Sequence, residues 1–231
     1  MPQRKIYSTH AIVPLHIPKL SKIRLSKVFD KEERAQLTLA MLDHVLSTLQ
    51  RAQTISSVTV VSADRNVRRK VEKRGARFIW EGQKRGLNSA ITLAQKRLKI
   101  AANSSILIIH ADLPTLSSGE VDAFVRAVRR YEIGIAPSKD GTGTNALFLE
   151  TPNLISTVFG RESFHKHLRV IRKKALRYKI IRLRGIGFDL DDTNDLQNLF
   201  RSPARNEASQ FVRILAQKRD KSSLRRLRDS F

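Results

Sequence analysis

The strongest constraint on this chain is an alternation of short apolar runs, rich in β-branched residues, with longer stretches that repeat as helices do. "HAIVPL" (10–15), "SVTVVSAD" (57–64), "ARFIW" (76–80) and "SILIIHA" (105–111) have the length and composition of strands. "DKEERAQLTLAMLDHVLSTLQ" (30–50) places Leu42, Val45, Leu46 and Leu49 on one helical face, behind Asp30 and Glu33 at capping-box spacing. "NVRRKVEKRG" (66–75) predicts a helix stopped by Gly75, and "LNSAITLAQKRLKIA" (87–101) another. Further on, "SGEVDAFVRAVRRY" (118–131), "ESFHKHLRVIRKKA" (162–175) and "TNDLQNLF" (193–200) predict helices, while "IGIAPS" (133–138), "NALFLE" (145–150) and "YKIIRLR" (178–184) predict strands.

Strands separated by helices are joined by crossovers, which make neighbouring strands parallel and put helices on both faces. The expected class is therefore α/β, with a mixed, mostly parallel sheet. In such sheets ligands bind beyond the carboxyl ends of the strands, where the strand order reverses. Residues 1–200 are expected to form this domain. In residues 201–231 the apolar content falls and nine Lys/Arg stand against three Asp/Glu, which reads as a basic tail, partly helical over "ASQFVRILAQKR".

The charge excludes little but biases the partners. With 44 Lys+Arg against 21 Asp+Glu the net charge is +23, which favours anionic ligands: nucleotides, phosphorylated metabolites or nucleic acid. The cations are spread as "RRK" (68–70), "RR" (129–130) and "RKK" (172–174), so most of them read as solvated faces. There is no cysteine, hence no disulfide, thiolate metal site or cysteine nucleophile. No apolar run reaches the roughly 18 residues of a membrane span, and the N-terminus lacks a secretory pattern. The expected location is cytoplasmic.

Asp112 follows the apolar run 106–109, at the carboxyl end of a strand expected to be central. A carboxylate there suits Mg²⁺, which takes hard oxygens and shares its shell with substrate phosphates. An Asp capping a turn before Pro114 explains it equally well. Asp189 and Asp191, two apart on an extended segment, point the same way and could join Asp112 in one metal site. Asp192 and Asp195 read as acids of a helix's first turn. "KDGTGT" (139–144) reads as a backbone nest for phosphate or as a glycine hairpin, with phosphate favoured. Gly160 and Ser163 stand at a helix start that could hold an anion, whereas His165 and His167 have the wrong spacing for a metal pair. Lys19, Lys22, Arg24 and Lys27 follow the first strand, where side-chain cations could surround a triphosphate.

The ordered set "KLSKIRLS", "GLNSAI", "HADLPTL", "APSKDGTGTNAL", "FGRESFHKH" and "FDLDDTNDL" resembles the 2-phospho-L-lactate guanylyltransferases (CofC type) of coenzyme F-420 biosynthesis, over about residues 10–200. The resemblance implies a Rossmann-like, GT-A-like nucleotidyltransferase fold, GTP as donor, Mg²⁺, and a small phosphorylated carboxylic acid as acceptor. It implies acceptor contacts by Thr144, Gly160 and Ser163, and metal binding by Asp112 with Asp189 or Asp191. Within that frame Lys19, Lys22 and Arg24 are assigned to the triphosphate, Lys22, Arg24 and Asp112 to catalysis, and Asn88 to guanine or ribose. The acceptor is 2-phospho-L-lactate, phosphoenolpyruvate or 3-phosphoglycerate, and pyrophosphate leaves. Two alternatives stand beside this: another nucleotidyltransferase of the fold, or a nucleic-acid-binding protein on the same scaffold. The oligomeric state is not readable, a homodimer being allowed.

Overall fold

The structure, a computed structural model, describes residues 8–16, 22–83, 86–98, 104–201 and 207–218. β1 (Thr9–Leu15) is followed by a 3-10 turn (Ile23–Leu25), α1 (Lys31–Arg51), β2 (Ile55–Ser62), α2 (Arg68–Lys73), β3 (Arg77–Trp80), α3 (Leu87–Leu98) and β4 (Ser105–Ile109). The second half comprises α4 (Ser118–Val128), β5 (Ile133–Pro137), β6 (Thr144–Leu149), α5 (Ser163–Lys173), β7 (Tyr178–Ile180), α6 (Arg184–Gly187), α7 (Thr193–Arg201) and α8 (Glu207–Lys218).

The local signals act as expected. Glu33 N–H donates to Asp30 Oδ1 (2.9 Å) and Asp30 N–H to Glu33 Oε2 (2.8 Å), so α1 starts on a full capping box. Ser117 and Glu120 do the same for α4. The strands form one sheet in the order β3-β2-β1-β4-β6-β5-β7, with β4 in the middle. β1 to β4 are mutually parallel, and β7 is parallel to β5. β6 runs antiparallel between β4 and β5. The loop 138–143 between β5 and β6 is too short for a crossover, so the chain returns as a hairpin. The strand expected over 178–184 stops at Ile180, because residues 184–187 coil into α6, where Gly185 N–H donates to Glu120 Oε1 at 2.6 Å.

The buried side chains alternate between the two faces of the sheet with period two. On β1, Ala11, Val13 and Leu15 face the helix layer of α1, α2 and α4, while Ile12 faces α3 and α5. On β4, Leu107 and Ile109 take the first side, Ile106 and Ile108 the second. Gly134 on β5 lets α4 approach, since a Cβ there would lie 2.5 Å from Val128. A third cluster joins Leu25, Phe29, Leu37, Met41, Leu190, Leu196, Leu199 and Val212. It ties the segments around residues 22 and 190 onto α1, with α8 packed beside them. Among the described residues no helix is long and apolar enough to cross a membrane.

Candidate active site

At the carboxyl ends of β1 and β4 opens a cleft of about 570 Å³, in the size range of small-molecule sites. It lies where the order reverses, as the topology predicts. One side carries Lys22, Arg24, Asp112, Asp189 and Asp191; the other carries Thr144, Gly160 and Ser163. Lys19 lies outside the described residues. Lys27 is exposed.

The acidic side is organised around one ammonium. Lys22 Nζ donates to Asp112 Oδ2 at 2.5 Å and to Asp191 Oδ1 at 2.6 Å. Its backbone is left-handed at φ 54, a conformation that disfavours a lysine by roughly 1–2 kcal/mol and that these two ion pairs hold in place. Burial pulls the Lys22 ammonium toward neutrality, but Asp112 and Asp191 outweigh it and hold its pKa above the usual lysine range. Burial likewise opposes ionisation of Asp112, and Lys22 overrides it. Asp189 has no such partner. Burial, with the charges of Asp112 and Asp191, pushes its carboxyl up to about 6, while Asn145 Nδ2 donates to its Oδ1 at 3.2 Å.

These residues suit a small hard cation. The Lys22 ammonium stands where a cation between Asp112 and Asp191 would, Asp112 Oδ1 is buried with no hydrogen-bond partner among the described residues, and a third carboxylate lies beside them. No group of three His, Cys, Asp or Glu side chains is already set at ligating distances among the described residues. Mg²⁺ typically takes one or two carboxylates and completes its shell with water and substrate phosphates.

Thr144, Gly160 and Ser163 bring no charge to the cleft. Thr144 N–H donates to Ser163 Oγ (2.9 Å), and Thr144 Oγ1 lies 3.1 Å from His167 Nδ1. Gly160 adopts φ 121, which side-chain-bearing residues rarely take, and leaves bare backbone at the cleft. Asn88 is engaged elsewhere: its Nδ2 donates to Phe159 O (3.1 Å) and its Oδ1 accepts from Phe159 N–H (2.8 Å). Its carboxamide therefore pins the residue before Gly160.

The loop 138–143 departs from the expected phosphate nest. Gly141 N–H donates to Ser138 O, Thr142 N–H to Asp140 Oδ1 and Gly143 N–H to Ser138 Oγ. The glycine N–H groups and Thr142 N–H are thus consumed internally, and the strands on either side pair antiparallel, which is the hairpin alternative. Asp192 and Asp195 are helix acids as expected: Asp192 Oδ1 caps Asn194 and Asp195 N–H, and Asp195 Oδ2 accepts from Asp191 and Asp192 N–H. His165 is exposed and His167 buried, so they are no metal pair. His110, Asn145 and His167 belong to the site although spacing alone did not select them. His110 sits 4.0 Å from Asp112, and burial lowers its pKa.

The model of the family described as "Guanylyl transferase CofC like" matches residues 9–229. The chain is 34% identical to a phosphoenolpyruvate guanylyltransferase of Sphaerobacter thermophilus, covering 83% of this chain and 92% of that one. It is 32% identical to a 2-phospho-L-lactate guanylyltransferase of Methanocaldococcus vulcanius, covering 88% and 90%. Among solved structures, one assigned to the nucleotide-diphospho-sugar transferases, from Desulfovibrio desulfuricans G20, superposes with a TM-score of 0.74 over 92% of this chain and 98% of that one, at 17% identity.

Proposed function

The chain belongs to the CofC-like guanylyl transferase family, and we propose that it joins GMP from GTP to a small phosphorylated carboxylic acid, releasing pyrophosphate. The observation that carries this reading is the convergence of Lys22, Asp112, Asp189 and Asp191 in one cleft with the uncharged Thr144, Gly160 and Ser163.

The chemistry needs little more than those residues. A phosphate oxygen of the acceptor attacks the α-phosphorus of GTP and forms a P–O bond. The bond from that phosphorus to the bridging β-oxygen breaks, and pyrophosphate carries the electrons away. A phosphomonoester with a second pKa of about 6 is mostly dianionic at neutral pH, so no general base is required. The remaining obstacle is the meeting of two polyanions. Lys22 and Arg24 are suited to the triphosphate, and Thr144, the Gly160 backbone and Ser163 to the acceptor. Asp112 with Asp191 or Asp189 would hold Mg²⁺, which would supply positive charge against that developing on the transferred phosphoryl and on pyrophosphate. Relatives named for phosphoenolpyruvate and for 2-phospho-L-lactate support an acceptor of this class. Such acceptors share a phosphate and a carboxylate. A place in coenzyme F-420 biosynthesis follows from the family.

The test is pyrophosphate release by purified protein with GTP and Mg²⁺, given 2-phospho-L-lactate, phosphoenolpyruvate or 3-phosphoglycerate in parallel, with Asp112→Asn as control. Release with one acid, lost in the variant, supports the reaction and names the acceptor. No release with any acid and any nucleoside triphosphate, from folded protein, sinks the reading in favour of nucleic-acid binding.

A further inference from the structure

Behind the acceptor side of the cleft, a line of buried hydrogen bonds has a direction that can be worked out. Val158 N–H lies 3.1 Å from His167 Nε2. A backbone amide only donates, so Nε2 accepts and the proton of the neutral ring sits on Nδ1. Burial keeps the ring neutral, with its pKa lowered to about 4. Nδ1 then points its hydrogen at Thr144 Oγ1, 3.1 Å away, with the Ser163 carbonyl as a second acceptor. Thr144 Oγ1 cannot donate back to a nitrogen that carries hydrogen, so its own hydrogen is left for another partner. Ser163 follows the same logic: its Oγ accepts from Thr144 N–H and keeps its hydrogen to give. Both residues line the cleft, and both are almost wholly buried.

We propose that His167 is a positioning residue that fixes the Thr144 hydroxyl as a donor to an anionic oxygen of the acceptor, and so sets acceptor affinity. His167 itself touches no substrate. The Phe159 ring meets it edge-on at 4.8 Å and restricts its rotation. A hydroxyl free to rotate could present either a lone pair or a hydrogen to the acceptor. One that accepts from His167 has a lone pair already occupied and its hydrogen free to give, which biases it toward donating to an oxyanion. This inference rests on the guanylyltransferase reading.

The experiment is steady-state kinetics on wild type, His167→Leu, His167→Asn, Thr144→Val and the double variant His167→Leu/Thr144→Val, with melting temperatures measured alongside. His167→Leu is expected to raise the KM for the phospho-acid about tenfold, with the KM for GTP little changed. His167→Asn, whose amide N–H can replace the Nδ1 donor, should recover most of that loss. In the Thr144→Val background, removing His167 should change the acceptor KM by no more than about twofold, because the contact is already gone. Should His167→Leu not fold, the comparison of His167→Asn with His167→Gln, which reaches Val158 rather than Thr144, replaces it: Gln is expected to behave as the loss. An unchanged acceptor KM in folded variants, an equal rise for GTP, or additive effects in the double variant would overturn the proposal alone. Absence of turnover by wild type would overturn the reading beneath it.

Discussion

Lys22 Nζ and Asp112 Oδ2 lie 2.5 Å apart, although ninety residues separate them in the chain. The contact joins the loop after β1 to the end of β4, and Asp191 shares it from a third segment. A single ammonium here offsets one of the two carboxylate charges it touches. Lys22→Met should leave Asp112 and Asp191 facing each other, lower the melting temperature without Mg²⁺, and gain more stabilisation from added Mg²⁺ than wild type does. Activity should fall about 10²–10³-fold, the typical cost of one transition-state charge contact. Lys22→Arg should not rescue it, because a planar fork does not fill a site for a compact ammonium. A thermal shift that is the same in variant and wild type would contradict this.

Asp189 shows the cost that such a site imposes on folding. Its carboxyl is pushed up to about 6 from the ordinary 3.8. An acid whose folded pKa is raised destabilises the fold once it ionises, so the penalty is complete above pH 6 and vanishes below the unfolded value. Asp189→Asn should therefore stabilise the protein at pH 7.5 by about 1–2 kcal/mol, keep the bond to Asn145, and lose activity. Urea denaturation with and without EDTA reads the effect. Mg²⁺ should stabilise wild type more than the variant, since Asp112 and Asp191 remain.

His167 gives the opposite pH dependence. Its folded pKa, about 4, lies below the ordinary 6.5, because burial excludes the imidazolium. The unfolded chain takes up the proton first. The stability contributed by the neutral ring is complete above about pH 6.5 and is lost as pH falls toward 4. Between pH 7 and pH 5 the loss should be about 2 kcal/mol. The difference between wild type and His167→Asn in urea titrations at the two pH values isolates it from the carboxylates. Equal slopes for the two proteins would refute it.

What could be read from the sequence divides along a physical line. Periodicity and caps are local, so Asp30 with Glu33 and the apolar run before Asp112 marked their elements correctly. Asp189 and Asp191 were legible as a pair because two-residue spacing on extended chain puts them on one side. The direction of β6 was not legible, since an apolar run reads the same in either orientation and only the length of 138–143 decides it. The fate of that loop's amides depended on whether Ser138 and Asp140 turned inward, a tertiary matter. The spacing of His167 from His165 argues only against a shared metal. Spacing answers whether two histidines share a metal, but not whether one of them orients a threonine 23 residues earlier.

Asn88 offers a last test, because one residue was expected to touch nucleotide and is found holding a backbone. Its carboxamide closes both hydrogen bonds of Phe159, and Gly160 follows directly. Phe159 is buried, and its ring sits 5.4 Å from His110 and 4.8 Å from His167. Asn88→Ala removes both bonds and leaves the Phe159 N–H and carbonyl without partners, at a cost of about 1–3 kcal/mol. The loop can then relax and move Gly160 relative to Thr144 and Ser163. The expected result is a lower melting temperature, a higher KM for the phospho-acid and an unchanged KM for GTP. Asn88→Asp can still accept from Phe159 N–H but sets a carboxylate against the Phe159 carbonyl, so it should be no better than Ala. A rise in the KM for GTP at unchanged melting temperature would instead return Asn88 to the nucleotide. The two outcomes separate because a clamp acts on both stability and the acceptor side, whereas a contact to guanine or ribose acts on neither.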